Sequence, residues 1–201
     1  MPASSVTRAV WTGLRRWFHN QAAAWYLVFN RQHAALAQYR LLLELDPLDA
    51  MALAHIGFQY AEQGRNREAL VQFDRVVALK PDDAEAHFNR GYLLQKLADH
   101  DAAMISFRRA LEINPDHDRA LYGLALSLIS LRRYAEAVAP LKRNTKLQPM
   151  SPYGWYQLAR TQFNLGRVEE AQKVLDHVAK FEPKVARQLE REMGLNAKAL
   201  R

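Results

Sequence analysis

Five prolines, Pro47, Pro81, Pro115, Pro149 and Pro183, stand 34 residues apart without drift. Each closes a similar phrase: LDP, LKP, INP, LQP and FEP. The chain has only eight prolines, so most of them serve this one spacing. A fixed interval of this size marks a stacked repeat, in which each unit covers an apolar face of the next. Other positions keep the same period. Ala35, Ala69, Ala103, Ala137 and Ala171 recur twelve residues before each proline, and Tyr39, Phe73, Phe107, Leu141 and Leu175 recur eight before it. Twenty-four before it come Ala23, Gly57, Gly91, Ala125 and Ala159.

The spacing within a unit predicts two helices of about 14 residues, each about 20 Å long. In residues 50–81, Leu53, Ile56, Gly57 and Tyr60 lie at i, i+3, i+4 and i+7, one apolar stripe. Ala69, Phe73 and Val76 form the facing stripe. A glycine or alanine in each stripe lets paired backbones approach while the aromatic fills the adjacent hole. Gly64 is placed in the turn between the helices, where a left-handed residue is needed. The proline is expected to end the second helix, because it lacks an amide hydrogen and restricts the residue before it. Asp82, Asp83, Asp116 and Ser151 stand where they can cap the helix that follows.

These residues resemble the tetratricopeptide repeat family. Its pattern of large residue, Leu-Gly, Tyr, Ala, Phe, Ala and Pro is matched by Leu53, Ile56, Gly57, Tyr60, Ala69, Phe73, Val76 and Pro81. Further copies run through Gly91, Phe107 and Pro115, through Leu124, Ala137 and Pro149, and through Trp155, Ala171 and Pro183. Ala23, Tyr26, Ala35 and Tyr39 give a divergent first copy. Arg90, Arg132, Asn144 and Gln162 depart from the pattern, at places that usually carry apolar or small residues. The resemblance implies an all-α fold: a right-handed superhelical solenoid of antiparallel helix pairs with terminal capping helices. Residues 1–15 are expected to form a basic amphipathic helix, and 16–183 five repeats (16–47, 50–81, 84–115, 118–149 and 152–183). Residues 184–201 are expected to form a capping helix and tail. Val185, Leu189 and Met193 would cover the last repeat, and Val6, Val10, Leu14 and Trp17 or Phe18 form a similar stripe at the start.

In this family the first helix of each pair lines a concave groove that holds a partner. Carried onto this chain, the groove residues are Phe58, Phe88, Asn89, Tyr92, Arg119, Tyr122, Tyr153, Tyr156, Gln157 and Arg160. Aromatic rings beside amide and guanidinium groups suit an extended peptide or an amphipathic helix. The two-carboxylate clamp of chaperone adaptors in this family would need basic or amide residues at Ala54, Phe58, Asn89, Arg119 and Gly123, and only Asn89 and Arg119 qualify. A chaperone-tail adaptor is therefore disfavoured.

The formal charge of +7 is unevenly placed. Residues 1–43 hold five arginines and no acid; residues 44–183 hold 18 bases against 19 acids; residues 184–201 hold five bases and two acids. Basicity thus belongs to the ends and not the body, which argues against a nucleic-acid groove along the molecule. A locally positive stretch, Arg132, Arg133, Lys142, Arg143 and Lys146, has only Glu136 nearby in sequence and reads as a solvated face. The Arg-rich, aromatic N-terminus leaves three readings open: a cap, a docking helix for a membrane surface or partner, and a targeting segment. The longest apolar run, residues 22–29, is far too short to cross a bilayer, and no signal-peptide pattern opens the chain.

There are no cysteines, which removes disulfides, thiolate metal sites and a cysteine nucleophile. That fits a reducing, cytoplasmic setting, at a membrane surface if the N-terminal helix docks there. Asp99-His100-Asp101 and Asp116-His117-Asp118 look like metal ligands but stand at opposite ends of one helix, so capping is the better reading. No catalytic, cofactor or metal site is expected. The expected function is a scaffold, adaptor, assembly factor or accessory subunit for another protein. The alternative is a membrane-surface or nucleic-acid-associated protein acting through its basic termini.

Overall fold

The computed structural model describes residues 5–195, with side chains from Val10 onward. The side chain of Val6 in the N-terminal stripe, residues 1–4 and the tail beyond Leu195 lie outside what is described. The helices are α1 (Ser5–Val28), α2 (Gln32–Leu45), α3 (Ala50–Glu62), α4 (Asn66–Leu79), α5 (Ala84–Lys96), α6 (His100–Ile113), α7 (Asp118–Ser130), α8 (Tyr134–Leu147), α9 (Pro152–Asn164), α10 (Val168–Val178) and α11 (Pro183–Met193). No strand occurs among the described residues. The chain divides into two compact units, one through Leu97 and one from Ala98. In the first, α1 packs on α2, α2 on α3, α3 on α4 and α4 on α5. In the second, α6 to α10 pack in the same serial way, and α11 lies against both α9 and α10. Within each unit, connections this short force neighbouring helices to run antiparallel.

Two kinds of punctuation alternate. The turn inside a hairpin has its left-handed residue at a fixed place: Asn30, Gly64, Ala98, Arg132 and Gly166, with φ between 55° and 74°. At Gly64, for example, the Gly64 amide donates to the Ala61 carbonyl and the next amide, of Arg65, donates to Tyr60, which closes the helix end. The connection between hairpins is capped instead. Asp49 accepts from the Ala52 amide at 3.0 Å, and Asp83 from Glu85 and Ala86. The buried His117 ring accepts from Ala120 at 3.3 Å. Asp99 caps α6 just after the left-handed Ala98, accepting from Ala102. Asp99 and His117, each the centre of interest in an acid-histidine triplet, are thus helix caps. Ser151 makes no side-chain cap, and Asp116 is turned to Arg143.

The periodic columns form the core. Ala35, Ala69, Ala103, Ala137 and Ala171 are all 0% exposed, and Tyr39, Phe73, Phe107, Leu141 and Leu175 lie within 4%. The small residues make room for the rings. A Cβ on Gly57 would stand 2.8 Å from the Phe73 ring, and one on Gly123 would stand 2.6 Å from the Phe107 ring.

Three expectations need correction. The division at residues 15/16 is not a break: α1 runs unbroken for 24 residues, because nothing after Gly13 in that stretch stops a helix. Its face toward α2 contains Ala23, fully buried, and Arg16, which reaches Asp46 and Asp49 at 3.1 Å each. The stripe of Val10, Leu14 and Trp17 therefore lies on the opposite side and is exposed, as is Phe18, so it does not cap the first hairpin. Finally, Pro183 does not end a second helix. Helix α10 stops at Val178, and Pro183 opens α11 at a first-turn position where its missing amide hydrogen costs nothing.

Candidate functional site

Helix α9 opens with Pro152 and carries Tyr153, Tyr156, Gln157 and Arg160 at i, i+3, i+4 and i+7. Leu158 and Ala159, buried at 3% and 0%, hold the other side of the helix in the core and turn that polar-aromatic stripe outward. Tyr153, Tyr156 and Gln157 line an open cleft of about 300 Å³ together with Tyr122 of α7, Pro152, and Val185 and Gln188 of α11. Tyr153 is 71% exposed, while Tyr122 and Tyr156 are half-buried.

A polar chain borders this cleft. The Tyr156 hydroxyl donates to Glu192 Oε2 at 2.7 Å, and Gln188 Nε2 donates to Glu192 Oε1 at 2.8 Å. Arg160 donates to the Tyr156 hydroxyl at 3.4 Å, and its guanidinium carbon lies 5.5 Å from the centre of that ring. The carboxylate that accepts its proton, and then burial, push the Tyr156 pKa up. The hydrogen bonds from Tyr156 and Gln188, with the Arg160 charge, hold Glu192 below the usual carboxylate range. Burial pushes Tyr122 up, against a hydrogen bond from Gln157. The arrangement offers large aromatic area, amide and hydroxyl groups at its edge, and one charge of each sign.

The first unit holds the other expected groove residues. Phe58 is 41% exposed and meets Phe73 edge-on at 5.1 Å. Phe88 is half-buried with its ring 6.4 Å from Tyr92, and Tyr92 is 42% exposed with Lys96 Nζ 5.3 Å from its ring. Asn89 is the misfit, since it is buried at 8% and is not open to a ligand. Its place in the period is that of His55 and Gly123, which face the preceding helix, and of Gln157, which stays half-buried at the cleft. The His55 ring stacks on Tyr39 at 4.4 Å, with its pKa lowered by burial against the pull of Asp49, and Gly123 accommodates Phe107. Arg119 is exposed on the first turn of α7 but does not line the cleft.

Gln188 and Glu192 were not foreseen. They stand on α11, where the 34-residue count no longer applies because Pro183 has changed its role, so no column of the repeat points to them. The positive stretch on α8 also reads differently. Arg133 pairs with Glu136 at 2.7 Å, and Arg143 with Asp116 at 2.7 Å, a partner 27 positions away that local sequence does not reveal. Among the described residues, no group of three or more metal-ligating side chains is placed to hold an ion.

Serial helical hairpins with a fixed internal turn and an exposed aromatic stripe define a helical-repeat protein. Residues 57–97 match the TPR repeat family, and residues 99–178 match the family described as anaphase-promoting complex, cyclosome, subunit 3. These two spans of the chain carry tetratricopeptide repeats. Among solved structures, it is similar to MamA, at 20% identity over 87% of this chain and 96% of that one, with a TM-score of 0.79. It is also similar to YrrB, described as a TPR protein with an unusual peptide-binding site: 22% identity, 94% and 98% coverage, TM-score 0.78. MamA 41-end from Desulfovibrio magneticus RS-1 gives 19% identity, 89% and 96% coverage, and a TM-score of 0.75. At these identities the likeness establishes the fold. None of the curated proteins matches the sequence.

Proposed function

We propose that this chain is a binding scaffold, an adaptor or accessory subunit that holds an extended peptide or helix of a partner protein. The observation that carries the reading is the cleft of α7, α9 and α11. There Tyr153 projects into water beside the half-buried Tyr122 and Tyr156, with Gln157 in the lining and Arg160 at its border against the Tyr156 hydroxyl. Tyrosine provides large contact area at low entropic cost, and a few such anchors carry most of the energy of an interface. The solved YrrB structure, similar in fold, is described as having a peptide-binding site. Phe58 and Tyr92 give the first unit an aromatic surface of its own.

The test is selection of displayed peptides on the intact chain, followed by calorimetry on wild type and the double variant Tyr153→Ala/Tyr156→Ala. The selected peptide should bind the variant at least about tenfold more weakly, as loss of a hot spot does. Tyr153→Ala alone should weaken binding with thermal unfolding nearly unchanged, because its ring is 71% exposed. The double variant should also lose some stability, because Tyr156 packs on the core of Ala159, Leu175 and Leu189. Equal affinity for wild type and the double variant would remove the cleft as the site.

A further inference from the structure

Helix α1 has two faces, and only one of them is used. The side toward α2 holds Arg16, His19, Ala23, Tyr26 and Leu27, all buried or half-buried. The opposite side, at 100° per residue, carries Trp11, Leu14, Trp17, Phe18 and Trp25, continued by Phe29 just past the helix end, with Gln21 as its one polar member. Each of these apolar side chains is more than half exposed, from 53% at Leu14 to 65% at Phe29. The stripe is about 28 Å long at the rise of an α-helix. Trp25 and Phe29 stack at 5.9 Å and, with Arg31, line an open hollow of about 580 Å³.

The charges around the stripe have one sign. Residues 1–43 contain five arginines and no acid. Arg16 is engaged by Asp46 and Asp49, but Arg15 and Arg31 have no acidic partner among the described residues.

We infer that this face of α1 lies on the surface of an anionic phospholipid bilayer. A straight, acid-free stripe is complementary to a plane of negative headgroups. Tryptophan suits the boundary layer, with its ring in the acyl region and its N–H toward the headgroups. No described helix is long and apolar enough to cross a membrane, so α1 rests in the interface instead of spanning it. A second copy of the chain fits less well. Face-to-face pairing of two such helices would bring their unneutralised arginines together with no acid between them. The inference is independent of the cleft, and either can fail alone.

The test uses the intact chain with vesicles of phosphatidylcholine alone and of equal parts phosphatidylcholine and phosphatidylglycerol. Three of the four tryptophans are on this face, so their emission reports its environment directly. The protein should sediment with the anionic vesicles and not the neutral ones, with blue-shifted emission that brominated lipid quenches. Arg15→Glu/Arg31→Glu should weaken the partition on the order of tenfold or more. Trp17→Gln/Trp25→Gln should abolish it while circular dichroism and unfolding temperature stay unchanged, since both rings are exposed. Failure to bind anionic vesicles would overturn the inference. So would equal binding to neutral vesicles, a lipid-free dimer with the same blue shift, or RNA binding that competes with the vesicles.

Discussion

Ala98 and Arg132 have φ values of 62° and 58°, in the turn position that Asn30, Gly64 and Gly166 also hold. A side chain there meets the steric penalty of the left-handed region, which glycine escapes. Ala98→Gly and Arg132→Gly should each therefore stabilise the protein by about 0.5–1 kcal/mol, read as a higher denaturation midpoint in urea. No change, or a loss, would show that the penalty is relieved locally. Arg132 looked in the sequence like a flaw in the repeat. The position is in fact defined by its backbone, so glycine shows it plainly and arginine hides it. Asn144 has a different explanation: its buried amide donates to the Asp118 carbonyl at 2.9 Å, and Gly154 leaves it room. Gln162 is buried with a carbonyl oxygen that no described group satisfies, and nothing in the structure explains it.

At the scale of elements, the inner face of each helix was readable because a packed interior permits few alternatives. Every alanine in the twelve-before-proline column is fully buried. Outer faces are less constrained, and there the reading weakened: Asn89 turned inward, and the aromatic stripe of α1 turned out. Helix α11 shows both results. Its stripe predicted a cover for the last hairpin, and Leu189 and Met193 do pack with Ala159 and Leu175. Gln188 and Glu192, which flank the stripe beside Val185, join the candidate cleft without any repeat signal. Leu189 is 0% exposed, so Leu189→Ala should cost about 2–5 kcal/mol. Hydrogen exchange should show the loss first in α9 and α10, against which α11 lies. A cost under about 0.5 kcal/mol would mean that α11 is an appendage and not a cover.

For the whole molecule, charge and fold are governed separately. The excess of base is at the ends, while the body is close to neutral. Ion pairs such as Arg133–Glu136, Arg143–Asp116 and Lys173–Glu170 have both partners at least 39% exposed, where each is worth little. Raising salt from about 50 mM to about 0.5 M should thus move the unfolding temperature by less than about 3 °C. A larger fall by calorimetry would show that the charges help to hold the fold. The fold was legible because repetition tests one pattern several times over. The partner was not, because a side chain in water obeys no period.

Pro183 keeps step with the other prolines in number while starting a helix instead of following one. The array therefore has a direction in which it can grow. An extra thirty-four-residue segment spliced in between Pro115 and Pro149 would arrive in phase with both neighbours. The same segment attached beyond Val178 would meet a chain that has already changed its count, and would have to displace α11 from the surface it shields.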